Sequence, residues 1–133
     1  MRTIWILGVL GTVTLWACAE IPEVEGQQLY AEMCSGCHGA TGRGDGPSAA
    51  SVNRPVPDLT LISARNGGTF PMARVLSQID GYTRAKHGNL TMPEFGVMME
   101  DQPTVLMDTG DGIQTAVPRP MADLALYLEG LQR

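Results

Sequence analysis

This sequence predicts an all-α fold of about three to five short helices, with one small β-hairpin near residues 104–117, and three observations support it. Small or apolar residues recur at i, i+3, i+4 and i+7 near both ends of the chain: Gly26, Leu29, Tyr30 and Met33, then Leu124, Tyr127, Leu128 and Leu131. Glycine and proline punctuate everything between, so no intervening segment is long. Directly after the first periodic stretch stands Cys34-Ser35-Gly36-Cys37-His38, a motif that offers a small chain a centre other than its own side chains.

The chain has 133 residues with no long charge run, low-complexity tract or internal repeat, which predicts one domain, 20–133, behind a leader of residues 1–19. In the leader, Arg2 precedes a mostly apolar run from Ile4 to Trp16, too short to span a bilayer comfortably and ending in small residues, as a secretory signal does. Two endings fit. Ala17-Cys18-Ala19 suits cleavage before Glu20, while Leu15-Trp16-Ala17-Cys18 is similar to a bacterial lipobox with Cys18 lipidated, which would also explain an unpaired cysteine in an exported protein. The bulk of Trp16 speaks against the lipobox.

Past the leader both tryptophans are gone, and Tyr30, Phe70, Tyr82, Phe95 and Tyr127 are the only aromatics. That is a thin supply for a core, and a flat apolar prosthetic group would repair it. Of nine basic residues Arg2 goes with the leader, against fourteen acidic ones that all remain. This balance argues against nucleic acid as a partner and for one with a basic docking patch.

The first helix starts at Pro22, where a missing N–H costs little, with Glu23 and Glu25 at the positive end of the dipole. A glycine inside it costs about 1 kcal/mol relative to alanine, so Gly26 is either merely tolerated or marks a place where another helix crosses closely. In the motif that follows, two thiols three positions apart lie on one helical turn. They can add to the two vinyl groups on one edge of a porphyrin while His38 presents its imidazole to the iron, which is the attachment signature of a covalently bound haem. A dithiol redox site would want a preceding strand and a βαβ context, and a structural zinc would want a second ligand pair. Only Cys18 and His87 remain as soft ligands, so neither fits.

Residues 39–58 are rich in glycine and proline and read as loop. Leu59 to Ala64 is a short helical piece stopped by Asn66-Gly67-Gly68. Pro71 then opens another, with Met72, Val75, Leu76 and Ile79 on one face and Gly81 as the stop. Thr104 to Met107 and Ile113 to Val117 flank the turn Asp108-Thr109-Gly110-Asp111-Gly112, which predicts the hairpin. Asp108-Thr109-Gly110 also spells the aspartic protease tripeptide, but such a dyad belongs to a far more β-rich chain. Pro120 starts the last helix. Its aromatic Tyr127 can pack over the gap left by Gly26 if the two terminal helices cross.

A haem motif after the first of two crossing helices resembles the class I c-type cytochromes of bacteria, over nearly all of 20–133. The resemblance implies a small cytochrome c fold around one covalent haem c, with the helices crossing at Gly26 and Tyr127. It implies export as well, since haem attachment of this type takes place outside the inner membrane. By the same resemblance Cys34 and Cys37 hold the haem, and His38 is the first axial ligand. Pro47 would orient His38 through its backbone carbonyl, with an ordinary turn proline as the alternative. Met92, in Met92-Pro93-Glu94-Phe95, matches the Met-Pro-x-Phe loop that supplies the sixth ligand; His87, Met98 and Met99 are its competitors. The family's propionate-contacting Trp is missing, and Tyr82, Arg84 and Lys86 are polar enough to reach the propionates instead.

The function implied is single-electron transfer to and from redox protein partners, not enzymatic turnover, in a periplasmic respiratory or photosynthetic chain. Membrane association would come only through a lipid on Cys18. Two alternatives stand beside it: a haem sensor or enzyme with an open sixth position, and a cytochrome subunit of a larger oxidoreductase, for which residues 101–119 would offer a docking surface.

Overall fold

The computed structural model describes residues 22–82 and 92–133; the leader with Cys18, and Arg84, Lys86 and His87, lie outside the described residues. Helix α1 (Pro22–Met33) runs into a one-turn helix α2 (Ser35–His38). After a glycine-rich loop come α3 (Ile62–Arg65), α4 (Met72–Asp80) and α5 (Gly96–Met99), then strands β1 (Thr104–Asp108) and β2 (Gln114–Pro118), and finally α6 (Arg119–Gly130). Among the described residues the fold is mostly helical with one two-stranded antiparallel sheet, consistent with a small cytochrome c fold.

Among the described residues the most extensive contact between helices joins α1 to α6. It is close because Gly26 carries no side chain: a Cβ there would stand 2.8 Å from Cβ of Tyr127 and 2.8 Å from the carbonyl carbon of Asp123. One turn on, the rings of Tyr30 and Tyr127 pack with centroids 5.3 Å apart and planes tilted by 49°. Tyr30 and Leu124 are the largest fully buried side chains. The small residue and the aromatic meet at the crossing, as expected from the sequence.

Helix α4 buries Met72, Val75, Leu76 and Ile79, the whole periodic face. Gly81 ends it in the left-handed conformation, φ +105°, and its N–H donates to the carbonyl of Ser77. The hairpin pairs Val105 with Val117 and Leu106 with Ala116. Alternation sends Val105 and Met107 partly inward and leaves Leu106 exposed. In its turn the Asp108 carboxylate accepts N–H bonds from Gly110 at 2.8 Å and Gly112 at 3.0 Å, which hold its pKa below the usual carboxylate range. The protease-like tripeptide is thus a turn clasp, and the carbonyl of Thr109 accepts the N–H of Ala73, joining the hairpin to the start of α4.

The chain's last residues fasten the segment before α3. Gln132 donates to the carbonyl of Leu59 and accepts from the N–H of Ser63, both at 2.9 Å. Arg133 donates to the Thr60 hydroxyl at 2.7 Å and to Asp58 at 3.0 Å. Residues 58–63 thereby form a fixed wall rather than a free loop.

Candidate functional site

Cys34 follows α1 without a break, its N–H donating to the carbonyl of Tyr30 at 2.9 Å; those of Cys37 and His38 then donate to the carbonyl of Cys34. The motif is therefore a rigid extension of the helix crossing. Its back is sealed by Gly46, where a Cβ would come within 2.6 Å of the Ser35 carbonyl oxygen and 2.7 Å of the Cys37 carbonyl carbon. Gly46 and Ser48 spend their N–H groups on the carbonyls of Cys37 and Gly36, at 3.2 and 2.8 Å. Gly39 then turns the chain at φ +78°. The Tyr30 hydroxyl donates to its carbonyl at 2.7 Å.

This arrangement corrects the role expected of Pro47. The Gly46-Pro47-Ser48 segment lies against the backbone of the motif, and the carbonyl that faces His38 belongs to Pro57, 3.4 Å from Nδ1. With the proton on Nδ1 the ring donates to Pro57, which leaves Nε2 available to a metal. Burial holds the His38 pKa below its ordinary value, against a smaller upward pull from the Pro57 carbonyl. The neutral imidazole, the form that ligates, is favoured. Burial also pushes the Cys34 thiol up to about 11, with a lesser contribution from Cys37, so in the protein without its cofactor this thiol stays protonated at neutral pH.

Cys34, Cys37 and His38 open onto a cavity of about 710 Å³, and Met92 lines the same cavity. Its walls are mainly apolar, from Val75, Ile79, Phe95, Leu124 and Leu128 among others. Phe95 is buried and its N–H donates to the carbonyl of Ile79 at 3.1 Å, while Gly96 lies against Asp80. The Met92 loop is thereby pinned to the end of α4. Met99 is buried in the core, Met98 is exposed, and neither lines the cavity. Two thiols and an imidazole on an apolar volume of this size form the donor set and shape that a covalently held haem requires, and a thioether lines the same volume.

Of the residues expected on the polar wall, Tyr82 alone is among the described residues. Tyr82 is 65 % exposed and off the cavity wall, because Gly81 turns the chain outward before it. Among the described residues, the charged ones that line the cavity are Arg54, Arg65 and Arg74, with Asn66 and Gln78 beside them. These guanidinium groups are the natural counter-charges for a cofactor's carboxylates. Sequence reasoning missed them, although Arg74 and Gln78 are four apart on α4 and flank Val75 of the apolar face, a spacing that could have placed them on one wall.

A mostly helical domain that wraps an apolar cavity and presents Cys-x-x-Cys-His to it is a haem-tethering protein. The chain belongs to the cytochrome c family, whose model matches residues 23–132, and its cofactor is covalently attached haem c. Comparison with curated proteins and with solved structures finds no match. Haem-based electron transfer with redox protein partners is the activity this membership carries.

Proposed function

We propose that the protein is an exported single-electron carrier of the bacterial class I type, its haem iron held between His38 and Met92. The observation that carries this is that one apolar cavity is lined both by the Cys34-to-His38 motif and by Met92. Bound haem supplies an iron that changes oxidation state by one electron. The chain's own part is to keep that site constant. Pro57 fixes the His38 ring, and the Phe95 bond to Ile79 holds the Met92 loop, so little conformational entropy remains to be lost at either ligand. With His38 and Met92 both holding the iron, no position would be left on it for a substrate, and electrons would pass in transient complexes whose encounter rate is set by surface charge.

Residues 1–19 direct export to the periplasm, with cleavage before Glu20 or lipidation of Cys18 as the two outcomes; the mass of the mature amino terminus decides between them. The acceptor and donor belong to a respiratory or photosynthetic-type chain. The test of the ligand set is the absorption spectrum of the purified holoprotein. The reduced form is expected to be low-spin c-type, and the oxidised form to show a weak far-red sulfur-to-iron band that disappears in Met92→Ala. Rapid carbon monoxide binding by the reduced wild-type protein at neutral pH would overturn it in favour of an open sixth position.

A second reading, a cytochrome subunit of a larger oxidoreductase, is favoured by exposed apolar side chains. Leu106 and Ile113 on the hairpin are 69 % and 64 % exposed, and Val97 and Met98, just after the Met92 loop, 68 % and 67 %. Purification in mild detergent distinguishes the readings: a stoichiometric oxidoreductase partner supports the subunit, and a monodisperse single cytochrome supports the carrier.

A further inference from the structure

The negative charge of this chain is concentrated in one block. Residues 92–118 hold Glu94, Glu100, Asp101, Asp108 and Asp111, and no lysine, arginine or histidine. All of these carboxylates are exposed. The same block carries exposed apolar side chains: Val97 and Met98 on α5, Leu106 on β1 and Ile113 after the turn. The cavity arginines come from other segments. Firm attachment, not looseness, holds these apolar groups in water. The hairpin is fixed at its tip by the Thr109 carbonyl, which takes the N–H of Ala73, and at its base by the Arg119 N–H on the Pro103 carbonyl at 2.7 Å. Val117 is buried, while the pair Leu106 and Ala116 on the other face of the sheet stays exposed. Helix α5 is held through the Phe95 N–H on the Ile79 carbonyl. Ala73 and Ile79 are about 9 Å apart along α4, so one helix carries both attachments. Phe95 lines the cavity and Val97 follows it by two residues, so this surface adjoins the cavity wall.

Exposed apolar groups rimmed by polar ones mark a surface that meets another protein. We infer that residues 94–113 form the docking surface for a redox protein whose own contact face is basic around an apolar centre. Opposite charge brings the two together, and the apolar contact orients the complex. A second copy of this chain does not fit, because it would set one block of carboxylates against another. A handful of apolar side chains is also too little for a permanent interface of roughly 2,000 Å² or more, and suits the smaller footprint of an electron-transfer encounter. The inference rests on the electron-transfer reading and gives the chemistry of its partner.

The experiment mixes reduced, haem-loaded protein in a stopped-flow instrument with one of two oxidants, each taking one electron from the haem. One is a lysine-rich c-type cytochrome of higher potential; the other is hexacyanoferrate(III), a small anion that needs no docking surface. Asp101→Lys and Glu129→Lys change the net charge equally at exposed positions, the first inside the acidic block and the second outside it on α6. Leu106→Ser removes an exposed apolar group and no charge. With the basic oxidant at low ionic strength, Asp101→Lys is expected to react roughly three- to tenfold more slowly than wild type, and Glu129→Lys to stay close to it. Leu106→Ser should need severalfold more of that oxidant to reach half its limiting rate. With hexacyanoferrate the two lysine variants should behave alike. Equal slowing of both lysine variants by the basic oxidant, or an unaltered Leu106→Ser, overturns the docking surface and leaves electron transfer in place. Sedimentation of the wild type as a dimer that Leu106→Ser dissociates overturns it in favour of a second copy. A reduced wild type that gives its electron to neither oxidant removes the electron-carrier reading itself.

Discussion

Tyr30 is the residue at which the core and the cofactor motif meet. Its ring packs on Tyr127 at the helix crossing, and its hydroxyl donates to the carbonyl of Gly39, next to His38. Burial, with Cys34 next in effect, pushes its pKa up to about 12. Tyr30→Phe keeps the ring and loses only the oxygen. Gly39's carbonyl retains the Gly42 N–H, at 3.2 Å, so the loss should be that of one net hydrogen bond, about 0.5–1.5 kcal/mol, rather than the larger cost of an orphaned carbonyl. Urea unfolding of the two proteins should show it as a lower midpoint with unchanged slope. Because the folded-state pKa is raised, the unfolded chain ionises first as pH rises from 10 toward 12, so wild type loses stability there and Tyr30→Phe lacks that loss. The hydroxyl's target was not legible in the sequence, and neither was the Pro57 carbonyl on His38. Both depend on the path of a loop whose prolines and glycines announce turns but not which carbonyl comes back to the ring. The motif itself was legible because its chemistry is carried within five consecutive residues.

Between elements, two contacts decide how firmly the cavity walls stand. At the α1–α6 crossing, alanine at Gly26 would gain up to about 1 kcal/mol in helix propensity, but its Cβ would meet Tyr127 and the Asp123 carbonyl at distances no real contact shows. Overpacking costs roughly 1–3 kcal/mol, so the crossing outweighs propensity, and Gly26→Ala is expected to be destabilising in thermal unfolding despite being a better helix former. The second contact is the clasp of Arg133 on Asp58 and Thr60. Asp58 has its pKa lowered by the Thr60 hydroxyl first, then by the Thr60 N–H and Arg133. The group therefore stabilises above its ordinary value of 3.8, and the effect is lost as pH falls through the lower folded value. Asp58→Asn should lower the melting temperature at neutral pH, with the gap to wild type closing below about pH 3.8. The elements were legible from apolar periodicity and from stops such as Gly81, and the Gly26–Tyr127 crossing from residue size. The clasp was not, since its partners lie 73 and 75 residues apart and no local pattern links them.

For the whole molecule the question is what the folded chain encloses. An apolar cavity of about 710 Å³ is large for a domain of this length, whose interior would otherwise be close-packed. Left unfilled, its apolar walls would face water, a cost that weighs heavily against the roughly 5–15 kcal/mol by which domains are stable. The chain cannot make up the difference from its own aromatics, of which Tyr30 and Phe95 are the buried ones. Haem is therefore a structural component of the core as well as the redox centre. Cys34→Ser with Cys37→Ser removes both tethers while keeping the size of the side chains nearly constant. Prepared without haem, this variant should show no cooperative heat-absorption peak in calorimetry and reduced helical circular dichroism, whereas the tethered holoprotein should give a single sharp transition. A colourless variant that still unfolded in one sharp transition near the holoprotein's temperature would mean that helix packing alone holds the walls apart, and the cavity cost reckoned here would be wrong.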